Sequence, residues 1–197
     1  MGRIKSAWEI ALEKTESIEV DANKIRHNAN IDAIRRKAGT YLLSEEDTEE
    51  NTKSELMKYS QEDLKEALGQ TIINSLSLPQ IEMGESKKPQ RLSFLLSIAL
   101  PGNTEVANFL SDVLNHMAQY PKHRDQMMEQ LKSQFEPMLR DKEERMRAQY
   151  GEAPHLTFEN DKECREMANK YLERLQNQYQ KTLDDAKEQL KEVFNKI

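Results

Sequence analysis

The sequence predicts an extended, all-α protein, and three observations predict it. Gly and Pro, the residues that punctuate regular structure, number only 6 each in 197 residues. Apolar residues recur mostly three or four positions apart, the spacing of one helix face. The stretch 160–196 contains neither Gly nor Pro, and as a single helix it would be about 55 Å long. Hydrophobic residues make up 37 % and charged residues 32 % of the chain. That is too polar for a large compact core and too periodic for a disordered chain. The expected architecture is a long C-terminal antiparallel helical hairpin (121–197), a small helical core (60–120), an acidic linker (44–59) and N-terminal amphipathic helices (1–43).

Residues 4–18 place Ile4, Ala7, Trp8, Ala11, Leu12, Thr15 and Ile18 on one face. Trp8 is the sole tryptophan, and either anchors this helix on the body or docks on a partner, as interface Trp residues do. A second helix is predicted over 21–43, capped by Asp21, with a thin stripe of Ile25, Ile31, Ile34, Ala38 and Leu42. Its Arg35-Arg36-Lys37 cluster reads as a solvated face. The run Ser44-Glu45-Glu46-Asp47-Thr48-Glu49-Glu50-Asn51 has nothing apolar to bury, so it reads as a mobile linker.

Ser60 with Asp63 forms a capping-box start. The helix that follows carries Leu64, Leu68, Ile72 and Leu76, with Pro79 just past its end. Gly69 inside it costs about 1 kcal/mol relative to Ala, unless it marks a close helix contact. Residues 79–90 read as a loop. The run 92–100 is the most apolar; its pattern fits helix or strand, and its helical surroundings favour helix. Pro101-Gly102 breaks the chain, and Asn103 or Thr104 caps a helix with Val106, Ala107, Leu110, Val113, Leu114 and Met117.

Pro121 opens a helix to Tyr150 whose buried face is Met128, Leu131, Phe135, Met138 and Leu139. Pro137 lies inside it and should kink it near Ser133. Gly151 ends it, and the short connection makes an antiparallel hairpin. The last helix is expected to be capped by Asn160 with Glu163. Its stripe is Cys164, Ala168, Tyr171, Leu172, Leu175, Tyr179, Leu183, Ala186, Leu190, Val193 and Ile197. This arm is the longer one, so its far end needs another neighbour: the 60–120 core, the Trp8 helix or a second copy of the chain.

The chemistry-bearing residues form no recognised motif. The histidines are His27, His116, His123 and His155; HExxH does not occur, and no glycine-rich phosphate loop or GxSxG is present. Asp112 and His116 are one turn apart, but two ligands do not make a metal site. The acidic run lacks the spaced ligands and Gly of a calcium loop. Cys164, the single cysteine, excludes an internal disulfide and reads as a buried structural thiol. The net charge of −6, without a basic stripe, argues against nucleic acid. No stretch reaches the ~20 apolar residues of a membrane span, and no secretory signal is visible. No cofactor is expected.

The opening Ile4-Lys5-Ser6-Ala7-Trp8-Glu9-Ile10-Ala11-Leu12-Glu13-Lys14-Thr15-Glu16 resembles the start of a family of small, uncharacterised bacterial helical proteins of about this length. The resemblance implies a bacterial, cytoplasmic protein and carries over no activity, cofactor or functional residue. It also weakens the match of Met1-Gly2-Arg3-Ile4-Lys5-Ser6 to the myristoylation pattern, which needs a eukaryotic source. The expectation is a non-enzymatic interaction protein, an adaptor or scaffold with coiled-coil character. It would contact a protein partner, or itself, through Ile4, Trp8, Leu12, Val193 and Phe194. The alternative is a regulatory module binding a small ligand or metal ion in the helical core.

Overall fold

The structure is a computed structural model, and it describes residues 6, 8, 22–44, 46–80 and 87–196. Among the described residues there are seven α-helices and no strand: α1 (Ala22–Leu43), α2 (Glu49–Leu56), α3 (Gln61–Ser75), α4 (Lys88–Ala99), α5 (Thr104–Ala118), α6 (Tyr120–Tyr150) and α7 (Lys162–Lys196). The all-α class is as the periodicity predicts. Most of the expected 4–18 helix, including Ile4 and Leu12, lies outside the described residues, as does the Asp21 cap.

Helix α3 organises the rest. The Ser60 hydroxyl accepts the Asp63 N–H at 3.2 Å and fixes its start. Its buried face is Leu64, Ala67, Leu68, Ile72 and Ile73, and it packs on α1, α4 and α7. The run 92–100 falls in α4 and its C-cap, and buries Leu92, Leu95, Leu96 and Ile98. Gln61 of α3 donates to the Ile98 and Ala99 carbonyls at 3.1 and 2.8 Å, satisfying groups that the end of α4 leaves open. Arg91 of α4 does the same for α1. Its Nη1 donates to the Tyr41 and Ser44 carbonyls, each at 2.6 Å, and its guanidinium lies 5.0 Å from the Tyr41 ring centroid.

One hydrophobic cluster joins Ile31, Ile34 and Tyr41 of α1, Leu56 of α2, the α3 and α4 faces, Leu110 and Met117 of α5, and Leu183 and Leu190 of α7. The core is thus not confined to 60–120: α1 and the second half of α7 complete it. The acidic stretch expected as a linker instead carries α2. Thr48 caps it by accepting the Asn51 N–H, Glu49 and Glu50 sit favourably in its first turn, and Leu56 reaches the core. Lys37 of α1 holds it through Asp47 at 3.1 Å and Glu55 at 3.3 Å, so part of the basic cluster is paired rather than merely solvated. Ile25 is exposed; the buried stripe of α1 starts at Ile31.

Helices α6 and α7 form the expected hairpin, with 31 and 35 residues. Helix α6 continues through Pro137 as one element and ends at Gly151, whose φ of 81° is the left-handed cap that Gly adopts without a Cβ penalty. A second apolar cluster of Leu131, Leu139, Phe158, Cys164 and Ala168 closes the hairpin tip. Met138 and Tyr171, expected on the buried stripes, are exposed.

The cap of α7 is corrected by one residue. Asp161, not Asn160, accepts the Cys164 N–H at 3.0 Å. Asn160 shapes the preceding turn, accepting from Thr157 N at 2.7 Å and donating to the His155 carbonyl at 2.9 Å. Lys142 meets Asp161 at 2.7 Å, tying the two arms together. Its ammonium and the Cys164 N–H together hold the Asp161 carboxyl down to about 2. Asp161→Ala is expected to cost about 2 kcal/mol in chemical denaturation. A depressed carboxyl contributes stability above its ordinary 3.8 and loses it as pH falls through about 2. The substituted chain should therefore lose one component of the acid destabilisation seen in that window.

Candidate interaction surface

The far end of α7 finds its neighbours within the chain. The core is among the candidates for that role, and α7 packs on it through α3 and α5. Phe194 is buried, and its ring lies where a Cβ on Gly69 of α3 would stand only 2.7 Å from Phe194 Cδ1. The glycine marks a close helix contact. Phe194, expected to contact a partner, is thus used by the protein's own core and is left with little surface to offer a second molecule.

Val193, the adjacent residue, behaves differently. It is half-buried and faces a groove of about 400 Å³ between α5 and α7. Val106 and Phe109 of α5 supply the other apolar wall, and Asn103, Glu105, Gln189 and Lys196 form the rim. The geometry follows from local sequence. Asn103 accepts the Val106 N–H at 3.1 Å and sets the first turn of α5. That turns Val106, Leu110, Val113 and Met117 inward and leaves Phe109 beside them, half-buried. On α7 the inward positions are Leu190 and Phe194, so Val193 falls at the stripe's edge. The rim carries one charge of each sign, and Lys196 also pairs with Glu192 at 2.9 Å.

Spacing alone places Val106 on the core stripe and does not single out Phe109. The available signal is the width of the α5 stripe: Val106, Phe109, Leu110, Val113 and Leu114 cover more of the helix than one neighbour needs. Trp8 is helical and 74 % exposed. Ile4 and Leu12 lie outside the described residues.

The titratable groups elsewhere serve the scaffold. His116 stacks on Tyr179 with centroids 4.9 Å apart, and His123 Nδ1 lies 2.5 Å from the Tyr179 hydroxyl. Burial pushes the Tyr179 phenol up. These contacts join α5, α6 and α7. Glu143 accepts from Leu156 N and sits 3.0 Å from His155 Nδ1, and the Leu156 amide is the main cause of its lowered pKa. Cys164 is fully buried, and burial with the Asp161 contact raises its thiol to about 11, far from thiolate reactivity at neutral pH. Among the described residues no group of three or more His, Cys, Asp and Glu could hold a metal ion. No described helix is long and apolar enough to cross a membrane.

Fold and groove together define a helical protein in which a long hairpin is docked by one end on a smaller helical body. Residues 53–192 match the model of a family described as "Family of unknown function (DUF6657)", and the chain belongs to that family. The matched region begins inside α2 and ends one residue before Val193; it includes neither α1 nor the 4–16 opening. No curated protein and no solved structure matches the chain.

Proposed function

We propose that this is a non-enzymatic protein–protein interaction module of the bacterial cytoplasm, an adaptor whose α5/α7 groove takes an amphipathic helix of a partner protein. The observation that carries the reading is the groove itself: Val106, Phe109 and Val193 form an apolar floor open at the surface between two helices. A trough between two neighbouring helices suits a third helix that inserts apolar side chains at i, i+3 and i+4. Glu105 on one rim and Lys196 on the other favour a partner helix with a basic residue on the first side and an acidic one on the second. Trp8, exposed and aromatic, supports a second contact with the same partner.

A photo-cross-linking residue at exposed Gln189, used in host cells, tests this. The reading predicts one dominant heterologous adduct. Val193→Glu should abolish it, and a cross-linker at exposed Tyr150 on the hairpin tip should not form it. Trp8→Ala should weaken it. Val193 is at the stripe's edge, so Val193→Glu should lower Tm by no more than about 5 °C. An adduct indifferent to Val193→Glu would contradict the reading, and an adduct between two copies would make the occupant a second copy of this chain.

A further inference from the structure

The joint between α1 and α3 contains a histidine with a carboxylate at each ring nitrogen. His27 Nδ1 lies 2.5 Å from Asp63 Oδ1, and Nε2 lies 3.1 Å from Glu66 Oε2. Ionised carboxylates only accept hydrogen bonds. A neutral imidazole has one N–H and can donate to one of the two; the imidazolium donates to both. Asp63 is held from the other side as well, since Asn30 Nδ2 donates to its Oδ2 at 2.8 Å. Its side chain is only 9 % exposed. An enclosed carboxylate keeps its donor most firmly, so the neutral form leaves the proton on Nδ1 and turns the Nε2 lone pair toward Glu66.

We propose that His27 is a proton-operated latch between α1 and α3: charged, it ties Asp63 and Glu66 to α1 at once, and neutral, it repels Glu66 and loosens the joint. The groups facing it from α3 are Asp63 and Glu66, and Lys24 lies one turn earlier on α1. The other helices packed on α1 meet it further along, α2 through Asp47 and Glu55 on Lys37, α4 through Arg91 on Tyr41. The hydrogen bond to Asp63, aided by Glu66, outweighs desolvation and raises the His27 pKa above its ordinary 6.5. The contribution of the latch is therefore complete below 6.5 and lost as pH rises through the raised value. Burial alone would raise the Asp63 carboxyl, but hydrogen bonds from Asn30, His27 and Ser60 bring it below 3.8. Its share is lost only when pH falls through that lowered value.

The test is an NMR titration of the His27 ring in the full chain, paired with amide exchange of α1 against α4. The His27 midpoint should lie above 6.5. Between about pH 6 and about pH 8, corrected for intrinsic rates, α1 amides should lose protection about three-fold relative to α4. His27→Gln, at a part-exposed position that tolerates the change, should abolish that pH dependence. Glu66→Gln should lower the His27 midpoint while the Asp63 contact persists. A midpoint at or below 6.5, or α1 protection that tracks α4 throughout, overturns the proposal.

Discussion

Gly69→Ala is expected to destabilise this protein by about 1–2 kcal/mol, although the same change in an ordinary helix stabilises by about 1 kcal/mol. The new methyl would sit 2.7 Å from Phe194 Cδ1 and 2.8 Å from Cγ, inside any tolerable contact. The backbone of α3 is fixed by three packed neighbours, so the ring must move. Expelling a buried Phe forfeits about 2–3 kcal/mol, which exceeds the helix-propensity gain. The diagnostic result is a change of sign. In a Phe194→Ala background the clash is gone, and Gly69→Ala should then stabilise by about 0.5–1 kcal/mol. Urea denaturation of the four proteins in the cycle measures this. Stabilisation by Gly69→Ala in both backgrounds would show that Phe194 is not seated on α3.

Arg91→Ala should cost about 3–4 kcal/mol, a larger effect than any exposed arginine can produce. The buried guanidinium uses both hydrogens of Nη1 on the Tyr41 and Ser44 carbonyls, and charge-assisted bonds of this kind contribute about 1.5–3 kcal/mol each when a partner is removed. Its loss orphans carbonyls at the end of α1 and strips the cation from the Tyr41 ring. Arg91→Lys should recover less than half, because a flexible ammonium does not reproduce the planar fork. Arg36, exposed and bonded through its guanidinium to the Asp32 carbonyl one turn back, is the control, and its truncation should stay within about 0.5 kcal/mol. A cost below about 1 kcal/mol at Arg91 would contradict the role assigned to it.

Local chemistry wrote most of the fold into the sequence. The starts of α3 and α5 follow from Ser60 and Asn103, and the end of α6 from Gly151, because caps act over three or four residues. The features that sequence reading misplaced depend on distant partners. Asn160 and Asp161 are both good caps, and the choice between them is settled by Lys142, 19 positions away. Arg91 closes α1 across 50 positions. Helix α2 is short and acidic, with Leu56 its one buried hydrophobic residue, so no periodicity could reveal it. Of the groove, Val193 was legible as a member of the α7 stripe. Its opposite wall was not, because Val106 and Phe109 share a helix face with core residues, and only the docking angle of α7 decides which of them stays accessible. Phe194 was read as accessible because nothing near it in sequence predicts that Gly69 receives it.

The return of α7 to α3 both completes the core and builds one wall of the groove. The most direct measurement is the nuclear Overhauser contact between the Phe194 ring protons and the Gly69 α-protons in the full chain. The structure predicts strong cross-peaks to both α-protons, given a ring within van der Waals reach of that backbone. Absent cross-peaks, with Phe194 ring shifts at solvent-exposed values, would mean that the hairpin end is undocked and that the α5/α7 groove does not exist.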